Sequence, residues 1–133
     1  MNKILLVGCG HMGSALLSSW LVSNKYNLTV VDPVKYNFLK TKFKKKIHIY
    51  KNISSLNKKT KFNFIVLAVR PVELNFVLQD LSEIKLSNNT TIISVIAGKK
   101  IEFFRKKFKN NSNIFRIMPN MSAVIGESMN CIV

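Results

Sequence analysis

Acidic residues are scarce in this chain. Six aspartates and glutamates stand against 21 lysines and arginines among 133 residues, which gives a net charge of +15. A surplus of this size can indicate nucleic acid or another anionic partner. However, 18 of the basic residues are lysines, and the runs at 42–46 and 58–61 offer no interleaved series of aromatic rings for stacking on bases. We therefore expect a solvated basic surface that helps to recruit anionic small molecules, and no nucleic-acid partner.

Cysteines and long apolar runs are also few. Cys9 and Cys131 cannot form a disulfide framework, and no cysteine and histidine spacing is typical of a metal site. We therefore expect no metal and a reducing, cytoplasmic location. No apolar run reaches the roughly 20 residues that cross a bilayer, so we expect no membrane association. The apolar start of the chain leads directly into glycines, which favours a buried strand over a signal peptide.

Short β-rich runs alternate with longer amphipathic stretches, as in repeated βαβ units. This pattern predicts an α/β fold of the Rossmann type: a doubly wound, mainly parallel sheet with helices on both faces. A single dinucleotide-binding domain spans 1–133, and the strand-like end at 129–133 suggests truncation at its C-terminal end. The predicted strands are 3–7, 28–31, 47–50, 62–69, 90–97 and 113–118. The predicted helices are 14–23, 34–45, one that begins at Pro71, and 101–108.

Three of the five glycines follow the first predicted strand, at Gly8, Gly10 and Gly13. They match the pattern G-x-G-x-x-G, in which the glycines allow a tight turn, a close approach of backbone to pyrophosphate, and close helix–strand packing. The free N–H groups of the following helix receive the phosphates. The motif predicts dinucleotide binding by the whole loop, with Cys9, His11 and Met12 at the intervening positions. Cys9 is interpreted as small filler and not as a nucleophile.

Asp32 ends the second predicted strand, 24 positions after Gly8 (32 − 8). An acid near this spacing accepts hydrogen bonds from the adenosine ribose and repels a 2′-phosphate. Asp32 therefore favours NADH slightly over NADPH. Two alternatives stay open. Asp32 can simply start a turn with Pro33, and Lys35 can accommodate a 2′-phosphate.

Three further motifs follow predicted strands, at the strand ends where open α/β sheets bind ligands. They are Ala68-Val69-Arg70-Pro71, Ser94-Val95-Ile96-Ala97-Gly98 and Arg116-Ile117-Met118-Pro119-Asn120. With the glycine loop, their order and spacing resemble the N-terminal NAD(P)-binding domain of pyrroline-5-carboxylate reductases, along almost the whole chain. The chain departs from that family at Arg70 (usually Lys), at Ile96 (commonly Ala), at Met121-Ser122 (Thr-Pro) and at Asp32, where many relatives are uncharged.

The resemblance implies which residues touch NAD(P)H. Residues Ala68, Val69, Arg70 and Pro71 pack along the cofactor, and Ala97 lies near the nicotinamide end. Asn120 faces the reaction space, and Asn52 lies on the adenosine side. The implied reaction is the reduction of 1-pyrroline-5-carboxylate to L-proline. The family places its substrate pocket and its homo-oligomer interface in a helical C-terminal domain, so no catalytic residue is assigned within these 133 positions.

Other functions share part of this pattern. A β-hydroxyacid dehydrogenase or a coenzyme F420-dependent NADP oxidoreductase carries the same first loop, although the segment from Arg116 to Asn120 fits them less well. A nucleotide-sensing domain without catalysis, or a basic nucleic-acid-binding module, is the alternative from another class.

Overall fold

The first strand lies in the interior of a seven-stranded sheet, with a paired strand on each side. The structure is a computed structural model, and it describes residues 1–43, 45–84, 86, 89–108, 113–118 and 131–132. The sheet has the order β3-β2-β1-β4-β5-β6-β7, and β1 to β6 are parallel, whereas β7 pairs antiparallel with β6. The strands are β1 (Asn2–Val7), β2 (Tyr26–Val31), β3 (His48–Tyr50), β4 (Phe64–Leu67), β5 (Thr91–Ser94), β6 (Ile114–Met118) and β7 (Cys131–Ile132). The predicted Rossmann-type fold is confirmed.

Helices cover both faces of the sheet because successive residues of a strand point to opposite sides. Leu5 and Val7 of β1 belong to one core cluster, and Ile4 and Leu6 belong to the other. The described helices are α1 (His11–Ser23), α2 (Tyr36–Lys42), α3 (Leu74–Ser82) and α4 (Ile101–Lys107). Helices α1 and α2 pack on the second cluster through Leu17 and Leu39, whereas α3 and α4 pack on the first. No helix in the described part of the chain has the length and apolar character needed to cross a membrane.

Several elements begin or end away from their predicted positions. Helix α1 begins at His11 instead of residue 14, so Gly13 lies inside it. Helix α2 is shorter than the predicted 34–45, and β5 ends at Ser94, three residues before Ala97. The 3-10 turn Ile53–Ser55 was not predicted from the sequence. The helix predicted to begin at Pro71 starts as a 3-10 turn, Pro71–Glu73, and continues as α3.

The strand order reverses at β1. The chain first moves outward to β2 and β3, and then returns to place β4 on the other side of β1. The connections that leave β1 and β4 therefore diverge toward opposite faces, which opens a crevice at the carboxyl ends of these strands. Ligands of open α/β sheets bind at such a switch point.

Candidate dinucleotide site

Gly8 is the first residue after β1, and its position excludes any side chain. Its φ of 95° lies in the left-handed region, which L-residues rarely adopt. A Cβ at this position would lie 2.8 Å from the carbonyl oxygen of Ala68, at the end of β4. The N–H of Gly8 also donates to the carbonyl of Val31 at 2.9 Å. Gly8 thus lets the turn lie against the ends of β2 and β4.

Gly10 and Gly13 define the start of α1. A Cβ at Gly13 would overlap the carbonyl oxygen of Gly8, so this glycine brings the helix against the loop. A Cβ at Gly10 would have no described atom within 4 Å. Gly10 is also the N-cap residue of α1, and no side chain among the described residues caps the helix there. The free N–H groups of the first turn, together with the helix dipole, make this open end suitable for an anion.

Asp32 connects three parts of the site through its buried carboxylate. One oxygen, Oδ2, accepts a hydrogen bond from the backbone N–H of Cys9 at 2.7 Å. The other, Oδ1, accepts from the backbone N–H groups of Val34 and Lys35, both at 2.9 Å. The turn role weighed in the sequence is therefore present, and the carboxylate also holds the glycine loop. Since Oδ2 accepts a single described bond, it keeps capacity for a further donor.

Cys9 is buried beside this carboxylate. Burial raises the pKa of the Cys9 thiol above its ordinary value of 9.0, and the nearby Asp32 charge adds to the increase, whereas a hydrogen bond with Ser14 and the Lys35 charge oppose it. The thiol is therefore protonated at neutral pH. A protonated thiol is a poor nucleophile, which agrees with the interpretation of Cys9 as filler.

The end of β4 forms the second wall of the crevice. The N–H of Ala68 donates to the carbonyl of Val7 at 2.8 Å, which continues the sheet ladder one residue beyond the strand. Pro71 then occupies the first position of a 3-10 turn. Arg70 Nε donates to Glu73 Oε1 at 2.6 Å, in an exposed ion pair. The guanidinium thus points to its own turn and is held by a neighbouring carboxylate.

A cleft of about 510 Å³ lies between these walls. It brings together half of the residues predicted to bind the cofactor, namely Gly8, Gly10, Asp32, Asn52, Ala68, Val69 and Arg70. Cys9 and Gly13 are buried behind the loop, His11 is exposed and Met12 is half-buried in the first turn of α1, and Pro71 is exposed; none of these five lines the cleft.

The predicted nicotinamide end is described only in part. Ala97 is exposed and does not line the cleft. Before it, the buried Ser94 ends β5, and its Oγ accepts a hydrogen bond from the N–H of Ile96 at 3.2 Å. Asn120 lies outside the described residues. The binding roles of Ala97 and Asn120 stay predictions from the resemblance.

Several lining residues were not singled out from the sequence. Lys51 and Ile53 come from the segment after β3, and the exposed Phe76 and Asp80 come from α3. The exposed aromatic residue was a usable signal. Phe76 lies off the buried stripe of Leu74, Leu78 and Leu81, and an aromatic side chain at such a position is available to a ligand.

Known proteins to which this chain is similar include reductases and dehydrogenases. Pyrroline-5-carboxylate reductase of Mycobacterium tuberculosis is 27% identical over 135 residues, which cover 95% of this chain and 44% of that protein. The structure of a pyrroline-5-carboxylate reductase from Coxiella burnetii matches 98% of this chain and 48% of its own, with a TM-score of 0.80 and 23% identity. The structure of the Plasmodium falciparum pyrroline carboxylate reductase with NADP bound matches 100% of this chain and 48% of its own, with a TM-score of 0.63 and 23% identity. The chain spans about half the length of these relatives, and the resemblance to them that the sequence predicted is confirmed.

The family assignment rests on the nucleotide-binding part of the chain. Residues 3–98 match the model of the family described as NADP oxidoreductase, coenzyme F420-dependent. This range includes the glycine loop, Asp32 and the end of β4, which are the elements that form the cleft. The chain belongs to this NADP oxidoreductase family.

Proposed function

We propose that this chain is the cofactor-binding domain of an NAD(P)H-dependent pyrroline-5-carboxylate reductase, which reduces 1-pyrroline-5-carboxylate to L-proline. The observation that carries the proposal is the open glycine loop at the end of a cleft on the switch point of the sheet. Relatives of that name, 24–27% identical and aligned over nearly the whole chain, support the choice of reaction. The rival F420-dependent activity has support from the name of the family, whose match ends before the segment from Arg116 to Asn120.

The residues of the chain bind and orient, and the bound cofactor supplies the hydride that goes to the C=N carbon of the substrate. The N–H groups at the start of α1 are suited to hold the pyrophosphate, and Asp32 Oδ2 is suited to accept a ribose hydroxyl. A protonated cyclic imine is already electrophilic, so the main task of the protein is to align two rings and exclude water. No catalytic residue is assigned within these 133 positions.

The complete enzyme should act in the cytoplasm as a homo-oligomer, joined through a helical C-terminal domain, and without nucleic acid or membrane. These parts of the proposal rest on the resemblance and on the sequence. The expected oligomer can be measured by light scattering on the complete protein.

Complementation tests the activity. The complete protein, expressed in a bacterial strain that lacks pyrroline-5-carboxylate reductase, should restore growth without proline. The 133-residue chain alone should bind NADH saturably but form no proline. If this chain alone formed proline at about 1 per second or faster, which is ordinary for an enzyme, the proposal that it supplies only the cofactor-binding domain would be wrong. If the folded complete protein transfers hydride between coenzyme F420 and NADP and does not reduce the cyclic imine, the rival activity is favoured.

Asp32 supports a slight preference for NADH over NADPH. A 2′-phosphate beside its carboxylate would meet a like charge, so NADH should bind more tightly than NADPH. Lys35 and Lys51 line the same cleft and act in the opposite direction. The direct contact with the Asp32 carboxylate should outweigh the attraction of the two lysines, since exposed charges are screened within about 8–10 Å at physiological salt.

Substitution of Asp32 by Ser tests this preference. Asp32→Ser should weaken NADH binding by about 1–3 kcal/mol and improve NADPH binding, as measured by titration at two salt concentrations. Thermal melting of the variant is a necessary control, because the substitution also removes acceptors from three backbone N–H groups. Equal or tighter binding of NADPH to the unaltered chain at physiological salt would refute the role of Asp32.

A further inference from the structure

Half of all acidic residues in this basic chain line one cleft. Of the six aspartates and glutamates, Asp32, Glu73 and Asp80 border the space that begins at the glycine loop. A dinucleotide is an anion, so long-range attraction does not explain carboxylates at this place. Each of the three therefore needs a local role.

Two of these carboxylates have partners within the protein. Asp32 accepts hydrogen bonds from three backbone N–H groups, and Glu73 forms an ion pair with Arg70 at 2.6 Å. The side chain of Asp80 forms no hydrogen bond or ion pair with the described residues. Asp80 is thus the one lining carboxylate that, within the described chain, has its full acceptor capacity available.

Asp80 lies on the face of α3 that borders the cleft. Phe76, Val77 and Asp80 of this helix all line the cleft, and Asp80 follows Phe76 by four residues and Val77 by three. At a rise of about 1.5 Å per residue, Asp80 lies about 9 Å farther along the helix than Leu74, its first residue. Among the lining residues of α3, Asp80 is thus the one farthest along the helix from its start after β4.

The surroundings of Asp80 suit a flat base with an amino group. Phe76, which is 74% exposed, offers a ring surface one turn before Asp80, and Pro33 and Val34 line the cleft from the connection after β2. Aromatic and apolar surfaces of this kind stack on a base. An ionised carboxylate accepts hydrogen bonds and donates none, so it selects a ligand group that carries N–H.

We propose that Asp80 determines base specificity in this cleft, where it accepts a hydrogen bond from the exocyclic 6-amino group of adenine while Phe76 covers the ring. This inference rests on the proposed dinucleotide binding and adds a residue that recognises the base. Asp80 is a binding residue only, because it has no part in hydride transfer.

The test compares NADH with its analogue in which the 6-amino group of the adenine is replaced by hydrogen. The unaltered chain should bind NADH roughly five- to tenfold more tightly than the analogue, as expected for one exposed hydrogen bond to a charged group. Asp80→Ala should reduce this ratio to about one by weakening NADH alone. Asp80→Asn should keep part of the ratio, because its amide oxygen still accepts.

Glu83→Gln is the matched control. It removes the same charge three residues along the chain, at the C-cap of α3, and Glu83 does not line the cleft. This variant should leave the ratio of the two dissociation constants unchanged. If the unaltered chain binds both dinucleotides equally, or if Asp80→Ala keeps the ratio, the role of Asp80 is overturned. If the unaltered chain binds neither dinucleotide, the proposed function itself fails.

Discussion

Gly8, Gly10 and Gly13 lie in one loop, but each meets a different constraint. Gly8 is required by its positive φ and by the approach of Ala68, and Gly13 is required by contact with the carbonyl of Gly8. Gly10 has open space where a Cβ would lie. Gly8 and Gly13 therefore serve the folded chain itself, whereas Gly10 leaves room for something outside it.

Gly10→Val separates these roles. The variant should fold, because a Cβ at this position has no described atom within 4 Å. It should lose NADH binding, because the branched side chain fills the space for the pyrophosphate. Titration and thermal melting measure the two properties. Gly8→Val is the comparison and should melt far lower, since it combines a strained φ with overlap at Ala68. Unchanged NADH affinity in folded Gly10→Val would mean that the phosphates bind elsewhere.

The Cys9 thiol predicts a pH effect on stability. Its pKa in the folded chain is raised, so the folded state holds this proton more tightly than the unfolded state does. The resulting stabilisation is complete below the unfolded pKa and is lost as pH rises above about 9 toward the folded pKa. Cys9→Ala should flatten that alkaline loss of unfolding free energy, as measured by urea unfolding from pH 7 to 10. An equal slope in both proteins would show that the thiol does not contribute.

At the scale of elements, the strands were predictable because buried parallel strands are short continuous apolar runs. The ends of β4 and β5 were predicted too long, since residues such as Val69 and Ala97 continue the apolar run after the ladder ends. The start of α1 was predicted too late, because a glycine inside the motif suggested loop. Its place in the helix depends on a contact with Gly8 that only the folded chain contains.

The wall formed by α3 was the part of the site least accessible to sequence reasoning. The stripe of Leu74, Leu78 and Leu81 predicts which face of the helix is buried. This stripe does not predict which part of the protein lies beside the opposite face of the helix. That Phe76 and Asp80 border the cleft follows from the placement of α3 beside the segment after β3, which is a matter of tertiary packing.

Leu78→Ala tests whether this wall must be held firmly. Leu78 is buried against the core, so its truncation should lower the unfolding free energy by about 2–4 kcal/mol. It should also weaken NADH binding, because α3 carries residues that line the cleft and a loosened helix would displace them. Gln79→Ala, at an exposed position of the same helix, should change neither property by more than about 0.5 kcal/mol. A loss of stability with unchanged affinity would show that the wall is unimportant for binding.

For the whole molecule, the net charge of +15 comes mainly from lysines that are spread along the sequence. Outside the cleft, helix α2 presents the exposed Phe38, but Lys35 and Lys42 lie over its ring at 5.8 and 5.4 Å. These cation–π contacts already occupy the aromatic surface. Outside the cleft, the basic surface should therefore attract anions broadly, without recognition of bases.

DNA binding should accordingly be weak and strongly salt-dependent. We expect measurable association at about 0.05 M salt that is lost near 0.2 M, because it depends on counterion release alone. NADH binding should change much less over the same range. Fluorescence anisotropy with a labelled oligonucleotide measures the first affinity, and competition with unlabelled NADH provides the control. A tight DNA complex that persists at 0.2 M salt would instead support a nucleic-acid-binding module.

The bridge from Asp32 to the backbone of Cys9 has a consequence for the timing of order in the loop. Because Oδ2 holds this N–H at 2.7 Å through a contact within the protein, this part of the loop should lose its conformational freedom when the chain folds and not when the cofactor arrives. The Cys9 amide should therefore exchange its hydrogen with deuterated water slowly in the ligand-free protein, at a rate set by opening of the surrounding structure. Cofactor binding should slow exchange at His11 and Met12 much more than at Cys9.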